Sequence, residues 1–223
     1  MTDLTMVVQL LMDQAPRGEA MGRDRLAGFG VSEHDLDSLI SGGWLRQLSS
    51  DAFLLRGDKP TAEGTVIYLC QRVAGLHISG RAALDLHGIR YFVYARERID
   101  LWGDTPWIFP AWAEEVLLLS YEHGALFDTG LDARFGQSQL PHRYPGIPVS
   151  VPERAALEYL STFDGSDNQK ENAGALIGML RNIRPVLLQT LADHCLRRDV
   201  VCALKYLGTS EGFDWAETLV CGR

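Results

Sequence analysis

The tightest constraint on this chain is the punctuation of its first 57 residues. Leu4, Val7, Val8 and Leu11 recur at i, i+3, i+4 and i+7, an apolar stripe that predicts a helix over Leu4–Gln14. Pro16 and Gly18 break it. Residues 23–27 suit a short second helix ended by Gly28 and Gly30. Ser32 can cap a third helix, Glu33–Ser41, whose apolar face is Leu36, Leu39 and Ile40, and Gly42-Gly43 stops it. Residues 44–48 and Ala52–Leu55 are extended runs around the polar turn Ser49-Ser50-Asp51. Helix, short helix, turn, helix and hairpin is the order of a winged helix-turn-helix, assigned to 1–57. The turn-rich stretch Gly57-Asp58-Lys59-Pro60-Thr61 is its expected linker.

The remainder of the 223 residues, 62–223, is long enough for a second and larger domain. Val66, Leu69, Cys70 and Val73 keep helical spacing, and Ser79 precedes a short helical pattern over 81–86 closed by Gly88. Residues 89–94, 98–102 and 116–121 have the β-branched and aromatic content of strands. Ser150-Val151-Pro152-Glu153 fits a capping box opening a helix over 153–161. Residues 163–172 read as a polar loop, and Ala175, Leu176, Met179, Leu180 and Ile183 as a further helix. Pro185 suits the first position of the next, with Leu187, Leu188, Leu191 and Cys195 inside and Arg197-Arg198 in its last turn, where cations suit the helix dipole. A final helix is expected over 200–207. The fold class is α+β: an N-terminal winged helix-turn-helix followed by a larger mixed α/β domain ending in helices.

Composition narrows the function. With 46% apolar and 22% charged residues the chain is not broadly disordered. No apolar run approaches the roughly 18 residues of a membrane span, and 7–12 is too short and mixed for an export signal. A cytoplasmic protein without a membrane partner is expected. The net charge of −8 divides into −3 over 1–60, −3 over 61–150 and −2 over 151–223. That distribution argues against strong sequence-independent nucleic-acid binding, which is mostly phosphate neutralisation, but leaves room for a local basic patch. Cys70, Cys195, Cys202 and Cys221 form no CxxC and read as core thiols, with Cys195 and Cys202 two turns apart and so able to share one helix face.

Chemistry-bearing motifs are missing. There is no GxSxG, GxxxxGK[ST] or GxGxxG. His34, His77, His87, His123, His142 and His194 show no HxxxH spacing, so no metal site is expected. Asp164, Asp167 and Glu171, with Ser166 and Asn168, do not follow the EF-hand order and read as a surface loop. Trp102, Trp107, Phe109 and Trp112 could anchor a partner, but are expected to cover the sheet edge and fill the second core. No enzymatic activity and no cofactor are expected.

Five ordered segments resemble the AbiEi-type antitoxins, the regulatory half of type IV toxin–antitoxin systems. They are Gly30-Val31-Ser32 with 39–48 and Ala52-Phe53; Gly80-Arg81-Ala82-Ala83-Leu84 with Gly88; 98–103 with Pro110-Ala111-Trp112; 150–160; and Leu180-Arg181 with 184–189. The resemblance implies a DNA-binding transcriptional autorepressor that doubles as antitoxin to a nucleotidyltransferase-like toxin. Its target would be an inverted repeat in its own operator, bound by a homodimer or by cooperative loading. Two departures stand out. The helix expected to enter the groove carries Glu33, Asp35 and Asp37 where the family more often has Arg, Lys or Gln. In 200–206 the one cation is Lys205, and relatives commonly run on past Arg223, so a further C-terminal element is expected.

On this reading Ser32, His34, Asp35 and Ser38 face the groove. A helix N-terminus can meet a phosphate without a basic side chain, and a carboxylate can accept from cytosine N4. Arg17, Arg23 and Arg25 would clamp the backbone, and Arg46, Gln47, Ser49 and Ser50 would form the wing contact. Arg81, Arg96 and Arg98 are candidate auxiliary or partner contacts, with solvated charges as the alternative. A rival reading keeps the winged helix as a protein-interaction adaptor that has lost DNA binding, which the acidic helix favours.

Overall fold

The computed structural model describes residues 4–90, 98–140, 143–163 and 167–222, with backbone only over 167–171. The chain folds as two compact units, Met1–Arg72 with Ile108–Leu117, and Val73–Trp107 with Leu118–Arg223.

The first unit opens with α1 (Leu4–Gln14), α2 (Arg23–Gly28) and α3 (Glu33–Ser41), followed by the antiparallel strands β1 (Leu45–Ser49) and β2 (Ala52–Leu55). The apolar spacing places Val7 and Leu11 of α1, Leu26 of α2 and Leu36 and Leu39 of α3 in one core with Met21, Leu45, Phe53 and Leu55. The end of α3 is set by glycine. Trp44 N–H reaches Leu39 O at 2.9 Å and Gly43 N–H reaches Ile40 O at 3.0 Å, which needs Gly43 at φ +71°. Met21 exchanges two backbone bonds with Phe53, of 2.8 and 2.9 Å, adding a third run to the hairpin. A one-residue bridge has no periodicity, so the sequence does not disclose it.

The stretch after the hairpin is fastened down. Thr61 N–H donates to Gly18 O at 2.9 Å, and the Asp58 carboxylate accepts from Gly18 N–H at 2.9 Å. Thr61 caps α4 (Ala62–Cys70), accepting from Gly64 N–H at 3.0 Å. A Cβ on Gly64 would lie 2.4 Å from Gly18 O, so α4 packs tightly on the 18–19 backbone. The compact unit therefore continues past the 57/62 boundary drawn from the turn residues, and the helix Ala111–Val116 joins it through an edge-on contact of Trp112 with Tyr68 at 5.4 Å. Trp112 is buried within the first unit and does not fill the second core; Trp107 and Ile108 are exposed.

The second unit holds β3 (His77–Ile78), α5 (Gly80–Leu86) and β4 (Arg98–Gly103). After α6 (the Ala111–Val116 helix of the first unit) come β5 (Leu118–His123), β6 (Gln137–Gln139), β7 (Pro148–Ser150) and α7 (Pro152–Ser161). The chain ends in α8 (Asp167–Ile177), α9 (Pro185–His194), α10 (Arg198–Ser210) and α11 (Asp214–Thr218). The five strands run β5-β4-β3-β7-β6, parallel at β4–β5 and β3–β7 and antiparallel at β3–β4 and β6–β7. The architecture is α+β, as the sequence pattern implies, and among the described residues no helix is long and apolar enough to cross a membrane.

Several local expectations are corrected. Ser150 does not cap α7: Val151 is the N-cap, Pro152 takes the first position, and the Ser150 hydroxyl has no hydrogen-bond partner. Glu153 turns instead to Arg184, accepting from its N–H, Nε and Nη2 at 2.8, 2.9 and 2.8 Å. Part of 163–172 is helical, since α8 begins at Asp167, and α8 stops at Ile177, short of Ile183. Val116 closes α6 and the strand starts two residues later. Arg197 and Arg198 begin α10 rather than end α9; Arg197 meets Asp199 at 2.6 Å, which neutralises it at the positive end of the dipole. Cys195 is buried at the end of α9 and Cys202 is exposed on α10, so they share no helix face and Cys202 is not a core thiol. Most of the expected strand 89–94, Arg96, His142, and the side chains of Asp164, Ser166, Asp167, Asn168 and Glu171 lie outside the described residues.

Candidate nucleic-acid interface

Helix α3 buries Leu36 and Leu39 and turns His34 and Asp37 outward, with Asp35 and Ser38 half-buried. Its start is locked by a reciprocal cap. Ser32 Oγ accepts from Asp35 N–H at 3.2 Å, while Asp35 Oδ2 accepts from Ser32 Oγ at 2.5 Å and from Ser32 N–H at 3.1 Å. The Ser32 hydroxyl and N–H hold the Asp35 carboxyl below its ordinary range. Two of the four residues expected to face a groove thus spend their polar groups on the helix start. His34 remains exposed on the outward side with Asp37, and Ser38 is half-buried beside them.

The arginines fall into separate groups. Arg23, at the start of α2, pairs with Glu33 in the first turn of α3, lies 3.9 Å from Asp51, and donates from Nη2 to Ser50 O at 3.3 Å. It therefore ties the beginning of α3 to the hairpin turn, with its guanidinium 5.6 Å from the Phe53 ring centre. Arg17 and Arg46 converge on Asp58: Arg17 Nη2 lies 2.5 Å from the carboxylate, and Arg46 Nη2 donates to the carbonyl at 3.3 Å. Arg25 pairs with Glu19, whose carboxyl burial pushes up against the pull of Arg25. Each expected phosphate clamp already has a protein acceptor.

The hairpin supplies a wing of modest size. Gln47, Ser50 and Arg46 are exposed and Ser49 is half-buried, with the register slipping by one residue between Gln47 and Ser49. Arg72, in the same unit, meets Asp51 at 2.8 Å, so the turn carboxylate is shared between cations. The exposed pairs here are of the kind worth roughly 0–1 kcal/mol each.

In the second unit Arg81 and Arg98 both approach Asp100, at 3.7 and 3.1 Å. A charged cluster of this unit is buried, and in it Arg154 pairs locally, as its place near the start of a helix suggests. Glu158 of α7 accepts from Arg154 Nε at 2.7 Å and Gly80 N–H at 3.2 Å, and lies 3.0 Å from His77 Nε2. Burial would raise the Glu158 carboxyl, but His77 and Arg154 prevail and hold it at about 2. Arg154 also donates to Ala133 O and Phe135 O at 2.9 and 2.7 Å. The i, i+4 spacing of Arg154 and Glu158 was the available signal; the third member, His77, is 81 residues away in sequence. His194 is matched with Asp128 at 2.8 Å, and His87 lies 3.1 Å from Ser150 O. Among the described residues no three His, Cys, Asp or Glu side chains gather as a metal site.

Two family models cover nearly the whole chain. One described as "Transcriptional regulator, AbiEi antitoxin N-terminal domain" matches residues 5–95. One described as "Transcriptional regulator, AbiEi antitoxin, Type IV TA system" matches residues 96–221. Among solved structures, the RV2827C protein from Mycobacterium tuberculosis is similar in fold, with a TM-score of 0.59 at 15% identity over 96% of this chain and 79% of that one. No curated protein matches the chain.

Proposed function

Because the chain belongs to the AbiEi antitoxin family of type IV toxin–antitoxin transcriptional regulators, we propose that it binds operator DNA through its N-terminal winged helix and represses its own operon. The observation that supports this reading is the Ser32-capped helix α3, with one apolar face buried and the other turned out beside a hairpin that exposes Arg46, Gln47 and Ser50. The N-terminal amides of α3 approach a phosphate, and His34 and Ser38 reach base edges. Arg17, Arg23, Arg25 and Arg46 contact the phosphate backbone by exchanging their present partners, of which the Glu33 carboxylate is exposed and the Glu19 and Asp58 carboxylates are largely buried, with Gln47, Ser49 and Ser50 on the wing. Two copies on an inverted repeat supply affinity that one module lacks. The antitoxin role is directed at a nucleotidyltransferase-like toxin, and the setting is the cytoplasm.

A gel-shift titration against the DNA upstream of the operon tests it. The expected result is a shift at low salt that Arg46→Ala weakens; no shift at low salt overturns DNA binding. The second reading, a protein-interaction adaptor, is favoured by the carboxylate partners of Arg17, Arg23 and Arg25. Growth rescue by co-expression with the adjacent toxin, without any DNA shift, would select it.

A further inference from the structure

Strand β4 has two unlike faces. Ile99, Leu101 and Gly103 are buried, while Arg98, Asp100 and Trp102 alternate to the other side. Parallel pairing brings Ser120 of β5 opposite Asp100 and Glu122 opposite Trp102. So polar a sheet face normally lies open to water. Here the start of α5 and the end of α7 roof it, leaving a cavity of about 220 Å³.

Chemistry is graded along this cavity. At one end the Arg98 and Arg81 guanidinia converge on a single carboxylate, Asp100, whose Oδ2 also accepts from Ala82 N–H at 3.1 Å. Four residues along the strand, about 13 Å at roughly 3.3 Å per residue, Trp102 lines the same space beside Glu122. The indole of Trp102 is held in place by its bond to Gly124 O at 2.8 Å. Cations, a carboxylate with a hydroxyl, and an aromatic ring with a second carboxylate follow in that order.

We propose that this cavity binds a nucleoside monophosphate. The two guanidinium forks take the phosphate, for which their planar donors are suited. Asp100 and Ser120 accept from the sugar hydroxyls, and the base stacks against Trp102 with Glu122 accepting from an amino group. All six residues belong to the second unit, so the proposal stands whether or not α3 reads DNA.

Isothermal titration of the full chain with AMP, GMP, CMP and UMP, against inorganic phosphate and the uncharged nucleosides, tests it. At least one monophosphate is expected to bind with Kd below about 1 mM, more tightly than phosphate or its nucleoside. Arg98→Ala should weaken that binding at least about tenfold, a difference of about 1.4 kcal/mol, with an unchanged melting curve, because Arg98 is exposed. Arg56→Ala, on the first unit, should leave it unaltered. No heat from any monophosphate up to about 10 mM, equal binding of phosphate alone, or undiminished binding by Arg98→Ala would each overturn the proposal.

Discussion

Charge is used in opposite ways at two ion-pair sites, one in each unit. In the first, Arg23 and Glu33 meet with 43% and 74% of their side chains exposed. Water and salt screen such a pair, and exchanging its carboxylate for a phosphate costs little. In the second, Glu158 is 1% exposed and shared by Arg154, His77 and Gly80 N–H. None of these can leave without stranding a charge away from water. Burial, not the number of charged residues, separates ions that hold the fold from ions available to a ligand.

The largest effect should follow from breaking the buried side of this contrast. Glu158→Ala leaves Arg154 and His77 without their common acceptor and should cost about 3–5 kcal/mol, read as a lower urea midpoint. A loss under about 1 kcal/mol would place the cluster with the surface pairs. The same carboxylate gives a pH signature. Its folded value, about 2, lies below its ordinary 4.5. Its stabilisation is therefore complete above about 4.5 and is lost as pH falls toward 2. The stability difference between wild type and Glu158→Ala should shrink as pH falls across that window.

How much of this was legible in the sequence follows from the range of each interaction. The helix, turn and hairpin order of the first unit rests on local rules, namely an apolar stripe, a serine cap and a glycine stop, and α1, α3 and β2 lie where those rules put them. The outward placement of His34 follows from the same periodicity. What failed was local pattern overruled by distant partners. Ser150 and Glu153 have capping-box spacing, but Pro152 fixes the helix start after Val151 and Arg184, 31 residues on, claims the carboxylate. Arg17, Arg23 and Arg25 read as free clamps because Asp58, Glu33 and Glu19 become their partners only on folding. The short strands β3, β6 and β7 have two or three residues each, too few to show a period.

A smaller effect sharpens the contrast from the exposed side. Ser32→Ala removes the hydroxyl that Asp35 N–H and Asp35 Oδ2 both use. It should cost about 1 kcal/mol, measured by thermal melting, and fray the start of α3. Asp35→Ala, which removes the other half of the same cap, should add less than its own single cost when combined with it. Full additivity would mean that the two residues act separately.

The smallest change in stability, and the sharpest test of availability, comes from Glu33→Gln. The variant removes the exposed carboxylate nearest Arg23 and one negative charge from the first turn of α3. Unfolding free energy should move by no more than about 0.5 kcal/mol, because the pair is screened. DNA affinity should move further, for two reasons that act in the same direction. A carboxylate facing phosphates repels them, and the released guanidinium can neutralise one. If Arg23 takes up a phosphate, the slope of log affinity against log salt should steepen by about 0.9. Affinity that rises with an unchanged slope would mean that only repulsion was relieved and that Arg23 stays on Asp51, 3.9 Å away. Unchanged affinity would mean that the start of α3 meets no phosphate, and the exposed pairs of the first unit would then belong to the protein alone, like the buried ones of the second.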